Sequence, residues 1–248
     1  PRLRKGPRPF SFLPAHGPAE RSATRWCSSP SARRSLAHVD QQSDRGPARA
    51  VGNCGSLQLN LSGGTLTSNS TNFGITFGNS TGVVNVSGDD TIFNSAGGFL
   101  MIGYSGSVPT YQAHGELNLL GGQVRKINAA QPLYVNYQNS PSVTNSTYGV
   151  LNIAGGDLTA TGTSSLRFGI TTMMNAVGLV NLAAGSFTTN GIINGKLFVG
   201  GGPGTAKFKP GSSPGTMTII GPFSLLPGGV LELEVERDAL TGAVRYDQ

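Results

Sequence analysis

The chain has 248 residues, 37 of them glycine, and only 12% are charged, about half the share of roughly 25% in an ordinary soluble domain. Gly, Asn and Ser at that density point to short strands and many turns, because they supply the backbone angles and local hydrogen bonds that turns require. The formal charge of +6 describes the head of the chain and not its body, so a nucleic-acid reading based on it would rest on the wrong segment. Residues 1–50 hold ten basic and three acidic residues, whereas residues 51–248 hold eight basic and nine acidic ones.

Residues 1–50 also carry seven prolines and few aliphatic residues. No strand or helix period survives there. Such a segment buries too little apolar surface to offset its ordering entropy, so it is expected to be disordered. A basic tail can meet nucleic acid or an acidic surface, but a linker is the plainer reading and no nucleic-acid partner is expected. Phe10-Ser11-Phe12-Leu13-Pro14 is too short for the apolar region of a signal peptide. Cys27 and Cys54 form neither a disulfide framework nor a CxxC metal pattern; a single bridge between them would tie the head to the body. No apolar run approaches the ~20 residues of a membrane helix.

From Val51 a phrase recurs: apolar-Asn-apolar, then a small pair, then an apolar residue. Its copies centre on Asn60, Asn85, Asn118, Asn152 and Asn181. They read Leu59-Asn60-Leu61, Val84-Asn85-Val86, Leu117-Asn118-Leu119, Leu151-Asn152-Ile153 and Val180-Asn181-Leu182. Gly82, Gly115, Gly149 and Gly178 open four of them. A second phrase follows each first: Ile75-Thr76-Phe77-Gly78, Leu100-Met101-Ile102-Gly103, Leu133-Tyr134-Val135-Asn136, Leu166-Arg167-Phe168-Gly169 and Leu197-Phe198-Val199-Gly200.

In Leu117-Asn118-Leu119 the apolar residues alternate with a polar one, which places both leucines on one face of a strand. A Gly-Gly turn, a short strand such as Leu158-Thr159-Ala160 and a third strand would complete one unit. Five units at this period predict a solenoid, each unit burying its apolar face on its neighbours. The predicted fold is therefore all-β, a parallel β-helix of about five to six coils. An antiparallel sandwich of the same strands is the alternative. The predicted organisation is a disordered segment at 1–50, β-helix repeats at 51–204, and a β segment at 205–248 that continues the solenoid. In the last segment Thr216–Gly221 and Val230–Glu236 read as strands, the latter with Leu231, Leu233 and Val235 on one face and Glu232, Glu234 and Glu236 on the other. No polar cap follows, so the chain is expected to be a piece of a longer protein.

The Gly-x-apolar-Asn-apolar-x-Gly-Gly phrase, followed by apolar-x-apolar-Gly, resembles the β-strand repeats of autotransporter passengers and of large exported bacterial proteins with a PEP-CTERM sorting tail. Pro210-Gly211-Ser212-Ser213-Pro214-Gly215-Thr216-Met217-Thr218-Ile219 is similar to a segment of the latter, and Gly228–Glu234 to the strand that follows it. The resemblance covers residues 55–248. It implies a right-handed parallel β-helix, a secreted or cell-surface location, and an adhesive or structural role with extracellular glycans or other surface proteins as partners. It implies no catalytic residue and no cofactor.

Chemistry-bearing residues are sparse. Residues 51–204 contain four acids, Asp89, Asp90, Glu116 and Asp157, and four bases, Arg125, Lys126, Arg167 and Lys196. Glycoside hydrolysis needs two carboxylates at a set separation, and Asp89, Asp157 and Glu116 are the candidates for a polysaccharide-active alternative. Asp in a Gly-rich turn is, however, an ordinary turn former. Gly211-Ser212-Ser213-Pro214-Gly215 matches a nucleophile elbow in letters, but Pro214 has no N–H for the oxyanion hole. Gly200–Gly204 lacks the Gly-Lys-Ser/Thr end of a phosphate loop. His114 reads as a loop residue, and the Glu232, Glu234 and Glu236 row as a solvated face that discourages edge pairing. Five N-x-S/T sequons, at Asn60, Asn69, Asn79, Asn85 and Asn145, matter only in a eukaryotic secretory pathway. No catalytic, cofactor-binding or metal-binding residue is assigned, and the expectation is a non-enzyme.

Overall fold

A computed structural model describes residues 35–39, 55–69, 72–75, 80–104, 113–127, 133–137, 148–161, 177–210, 217–237, 241 and 244–246. All elements among them are strands: β1 (Ser35–Val39), β2 (Gly55–Ser62), β3 (Thr65–Ser68), β4 (Asn72–Gly74), β5 (Ser80–Ser87), β6 (Ile92–Ser95), β7 (Phe99–Tyr104), β8 (His114–Leu119), β9 (Gln123–Lys126) and β10 (Leu133–Tyr137). They continue as β11 (Tyr148–Ala160), β12 (Val177–Thr189), β13 (Gly191–Asn194), β14 (Lys196–Val199), β15 (Ala206–Pro210), β16 (Met217–Ile220), β17 (Phe223–Leu225), β18 (Gly229–Leu231), β19 (Val235–Arg237) and β20 (Val244–Tyr246).

The pairing is parallel throughout, apart from the β19–β20 hairpin. One ladder runs β1-β2-β5-β8-β11-β12-β14-β17. A second joins β3, β6 and β9, continues through the C-terminal halves of β11 and β12, and ends on β15 and β18. A third joins β4, β7 and β10, and β13 pairs with β16. Strands far apart in sequence thus lie one rung apart in space, about 4.8 Å. This is a β-rich, parallel architecture consistent with a β-solenoid, and it excludes the antiparallel sandwich.

Register explains the repeat. Leu59, Val84, Leu117, Leu151, Val180 and Leu197 form one inward column, and Leu61, Val86, Leu119, Ile153, Leu182 and Val199 a second. Opposite them, Phe93, Val124, Leu158, Phe187 and Phe208 form a third. Nearly all of these side chains are fully buried. Each rung stacks like on like, so one apolar alternation serves every level.

Two glycine positions are set by backbone proximity. Gly149 opens its phrase because the third ladder passes against it: a Cβ there would collide with the Asn136 nitrogen and the Ile102 oxygen. Gly156 has φ 73°, and a Cβ on it would meet the Gly122 carbonyl oxygen. The left-handed conformation also explains why Asn136 ends the third copy of the second phrase, where the other copies have Gly. It lies opposite Gly103 (φ 78°) at φ 67°, and Asn is the side chain that tolerates this region best.

Four expectations are corrected. Leu197-Phe198-Val199 does not belong to the third ladder; it stacks on Val180-Asn181-Leu182 in the first. The strand before it, β13, pairs with β16 in a separate two-stranded ladder and is joined to β14 by Gly195 alone. The earliest copy of the second phrase is also displaced. Phe73, not Ile75, pairs with Leu100, and the Ile75 N–H donates to the Met101 carbonyl at 2.8 Å. The Gly155-Gly156 and Ala184-Gly185 pairs do not break their strands; β11 and β12 run through them with register shifts at Ala154 and Asp157. Finally, Val230–Glu236 divides into β18 and β19.

Within residues 1–50, Ser35–Val39 runs parallel to β2, with His38 opposite Asn60. The rest of that segment, Cys54 and the Gly211–Gly215 phrase lie outside the described residues, as do Leu166-Arg167-Phe168-Gly169, Asn79 and Asn145. No helix among the described residues is long and apolar enough to cross a membrane.

Candidate functional site

Because side chains alternate across a strand, the residues between the inward columns point outward. Asn60, Asn85, Asn118, Asn152 and Asn181 occupy one outward column of the first ladder, all half-buried. Their amides form a continuous ladder. Asn85 Nδ2 donates to Asn60 Oδ1 at 2.7 Å, Asn118 to Asn85 at 2.9 Å, Asn152 to Asn118 at 2.8 Å and Asn181 to Asn152 at 2.9 Å. Gln58 Nε2 adds a bond to Asn60 Oδ1 at 3.1 Å. Phe198 and then Ser224 take the next positions in this column, ending the amides at Asn181.

Each amide nitrogen carries two hydrogens, and each oxygen two lone pairs. Within the ladder one of each serves the bond between rungs; Gln58 takes a further Asn60 lone pair and Glu116 a further Asn152 hydrogen, and the remaining donors and acceptors lie along the outer face. Beside it, Glu116 Oε1 accepts from Asn152 Nδ2 at 3.2 Å. His114 and Tyr148 lie in register, edge to face, with ring centroids 4.9 Å apart. His114 is thus a strand residue on β8, not a loop residue, and it is exposed.

The candidate carboxylates are not brought together. In register, Glu116 neighbours Val83 and Val150 on the first ladder. Asp157 begins the second ladder's segment of β11, between Gln123 and Ser186, and Ser186 Oγ donates to it at 2.5 Å. Asp89 and Asp90 are exposed in the turn after β5. Among the described residues no two carboxylates share neighbouring register positions on these ladders, and no group of three His, Cys, Asp or Glu side chains could hold a metal. The cleft formed by Leu61, Gly63, Gly64, Thr65, Leu66, Thr91 and Ile92 encloses about 10 Å³, the space of one water molecule.

At the C-terminal end Lys209 Nζ lies 2.7 Å from Glu232 Oε1. The hydrogen bond from Lys209 holds the Glu232 carboxyl below its usual range. Glu234 is exposed, and Glu236 lies on β19.

One residue escaped the sequence reading. Lys126 faces inward at the end of β9, in register with Ser95 and, through it, Ser68. It is buried, and burial lowers its ammonium from the usual lysine range to about 8. The signal was the alternation Val124-Arg125-Lys126: if Val124 faces the core, so does Lys126. Compared with family models, with curated proteins and with solved structures, the chain matches none.

Proposed function

We propose that this chain is part of an exported, non-catalytic surface protein, a right-handed parallel β-helix of five to six coils that holds a stiff, chemically repetitive outer face for adhesion. The observation that carries this reading is the amide ladder over five successive rungs, outward and half-buried. Amides neither ionise near neutral pH nor act as nucleophiles; they donate and accept hydrogen bonds at fixed spacing. Hydroxyl-rich extracellular glycans are the ligand class that such a row fits best, with other surface proteins as the second class. A secreted or cell-surface location and the likeness to autotransporter and PEP-CTERM-associated repeats belong to this same reading.

The test is binding of residues 1–248 to immobilised polysaccharides, with simultaneous assay for released reducing ends or unsaturated sugars. Retention without product formation is expected, weakened by Asn118→Ala together with Asn152→Ala. Product formation that Glu116→Gln or Asp157→Asn abolishes would replace this reading with a polysaccharide-active enzyme.

A further inference from the structure

The outward face of the first ladder carries one chemically mixed patch in the middle of the stack. On β8, His114, Glu116 and Asn118 occupy alternate positions, so all three side chains point outward, about 7 Å from one to the next along the strand. On β11, one rung away, Tyr148, Val150 and Asn152 lie in register with them. The His114 and Tyr148 rings stand edge to face at one side of the patch, and the Asn118 and Asn152 amides close the other. Glu116 lies between, half-buried and flanked in register by Val83 and Val150. Among the described residues it is the only Asp, Glu, Lys or Arg at an outward first-ladder position of β2, β5, β8, β11 or β12. The bond from Asn152 uses one of about four acceptor positions on its carboxylate. The ladder bonds of Asn118 to Asn85 and Asn152 leave one amide hydrogen and one oxygen lone pair on that residue.

We propose that this patch is a subsite for an amino sugar, a pyranose with a free, protonated amine, within a glycan chain. The proposal rests on the glycan reading of the amide row and adds to it a position and a charge class. Charge selects the occupant. A ligand laid over the patch takes water from the Glu116 carboxylate, and covering a charge is costly unless a partner charge replaces that water. A neutral sugar offers only hydroxyls, and an acidic sugar adds repulsion. An ammonium group supplies the opposite charge and up to three hydrogen-bond donors, in a half-buried setting where the attraction is stronger than in bulk water. The same cation is attracted to the face of the Tyr148 ring, and the remaining amide groups of Asn118 and Asn152 are placed for the sugar hydroxyls. The attraction is local, because the chain as a whole has a formal charge of +6 and would repel a polycation at long range.

The experiment measures binding of the 248-residue chain to immobilised poly-glucosamine and to the same polymer fully N-acetylated, at low and high salt. Tighter binding to the free-amine polymer is expected, by at least about tenfold, with the difference shrinking as salt is raised. Glu116→Gln removes the charge but keeps a side-chain oxygen for the Asn152 amide, and should bring the two polymers to equal affinity. Asp157→Asn removes a carboxylate from the second ladder and should leave the difference unchanged. Far-UV circular dichroism establishes that both variants are folded. The comparison of the two polymers needs no variant and decides the matter by itself if Glu116→Gln does not fold. Equal or tighter binding of the acetylated polymer would overturn the proposal, as would a difference that Asp157→Asn lowers as much as Glu116→Gln does. Binding to other polysaccharides but to neither polymer overturns the subsite alone, whereas binding to no polysaccharide removes the glycan reading with it.

Discussion

The central rungs and the C-terminal rungs use the same residue types in the same register, yet they end in opposite environments. Leu151 and Val180 are sealed by a neighbour above and below. Phe223 and Leu225 have a neighbour on one side only and lie open on the other. Burial in this molecule is therefore a property of stacking rather than of the strand itself, and stability should be close to a sum of rung and interface contributions.

The largest effect should separate these two regions. Leu151→Ala removes a side chain packed on both sides and is expected to destabilise the fold by about 2–5 kcal/mol, through lost burial and the cavity left behind. Leu225→Ala removes one already half in water and should cost about 1 kcal/mol or less. Urea denaturation of both variants measures the contrast; equal losses would show that the end is packed as tightly as the centre.

Backbone positions sharpen the same contrast. Asn136→Val forces a β-branched residue into the left-handed region and should cost on the order of 1–3 kcal/mol, whereas Asn136→Gly, which suits that conformation, should cost less. Thermal melts of the pair test the assignment, and it fails if valine is tolerated as well as glycine.

Along the amide ladder, Asn118→Ala breaks two inter-rung hydrogen bonds, and Asn181→Ala, at the end of the row, breaks one. Losses of about 1–2 and about 1 kcal/mol follow, readable as chemical-denaturation midpoints. Identical losses at the two positions would indicate amides acting singly rather than as a row.

The smallest effect concerns Lys126. Its folded pKa of about 8 lies below the ordinary lysine value of 10.5, so between these values the unfolded chain binds more protons and stability rises with pH. Below about pH 8 the cost of burying the ammonium is fully present. Lys126→Met should therefore stabilise the protein at pH 7 by on the order of 1 kcal/mol, an advantage that shrinks as pH is raised toward the lysine range. Denaturation midpoints from pH 7 to 10.5 follow the effect, and a pH-independent difference between the two proteins would refute it.

The sequence made the stacked strands legible because Asn118 and its equivalents carry a strict apolar-polar-apolar alternation, which survives any length of intervening loop. It misplaced Leu197-Phe198-Val199 because Phe198 stands where the asparagine would be, and because a single residue, Gly195, separates β13 from β14. Only the register, Val180 against Leu197, reveals which ladder this strand joins. The inward lysine was legible in principle from the alternation in β9, which places Val124 and Lys126 on one face. The side-chain links of the amide row needed the structure, since identical residues at intervals of 25 to 34 positions give no distance by themselves. Glu116, Asp89 and Asp157 looked comparable in sequence because each sits near a repeat phrase; their separation follows from which ladder, face or turn each one occupies.

The parallel stack itself is tested most directly by spin-label distances along the outward column, with Cys27 and Cys54 replaced by serine. Labels at Asn60 and Asn181 lie four rungs apart, those at Asn85 and Ser224 five, and those at Asn60 and Ser224 six. At about 4.8 Å per rung the separations should be about 19, 24 and 29 Å. Distances that rise by one rung spacing at each step would support the stack; distances that do not follow the rung count would contradict it.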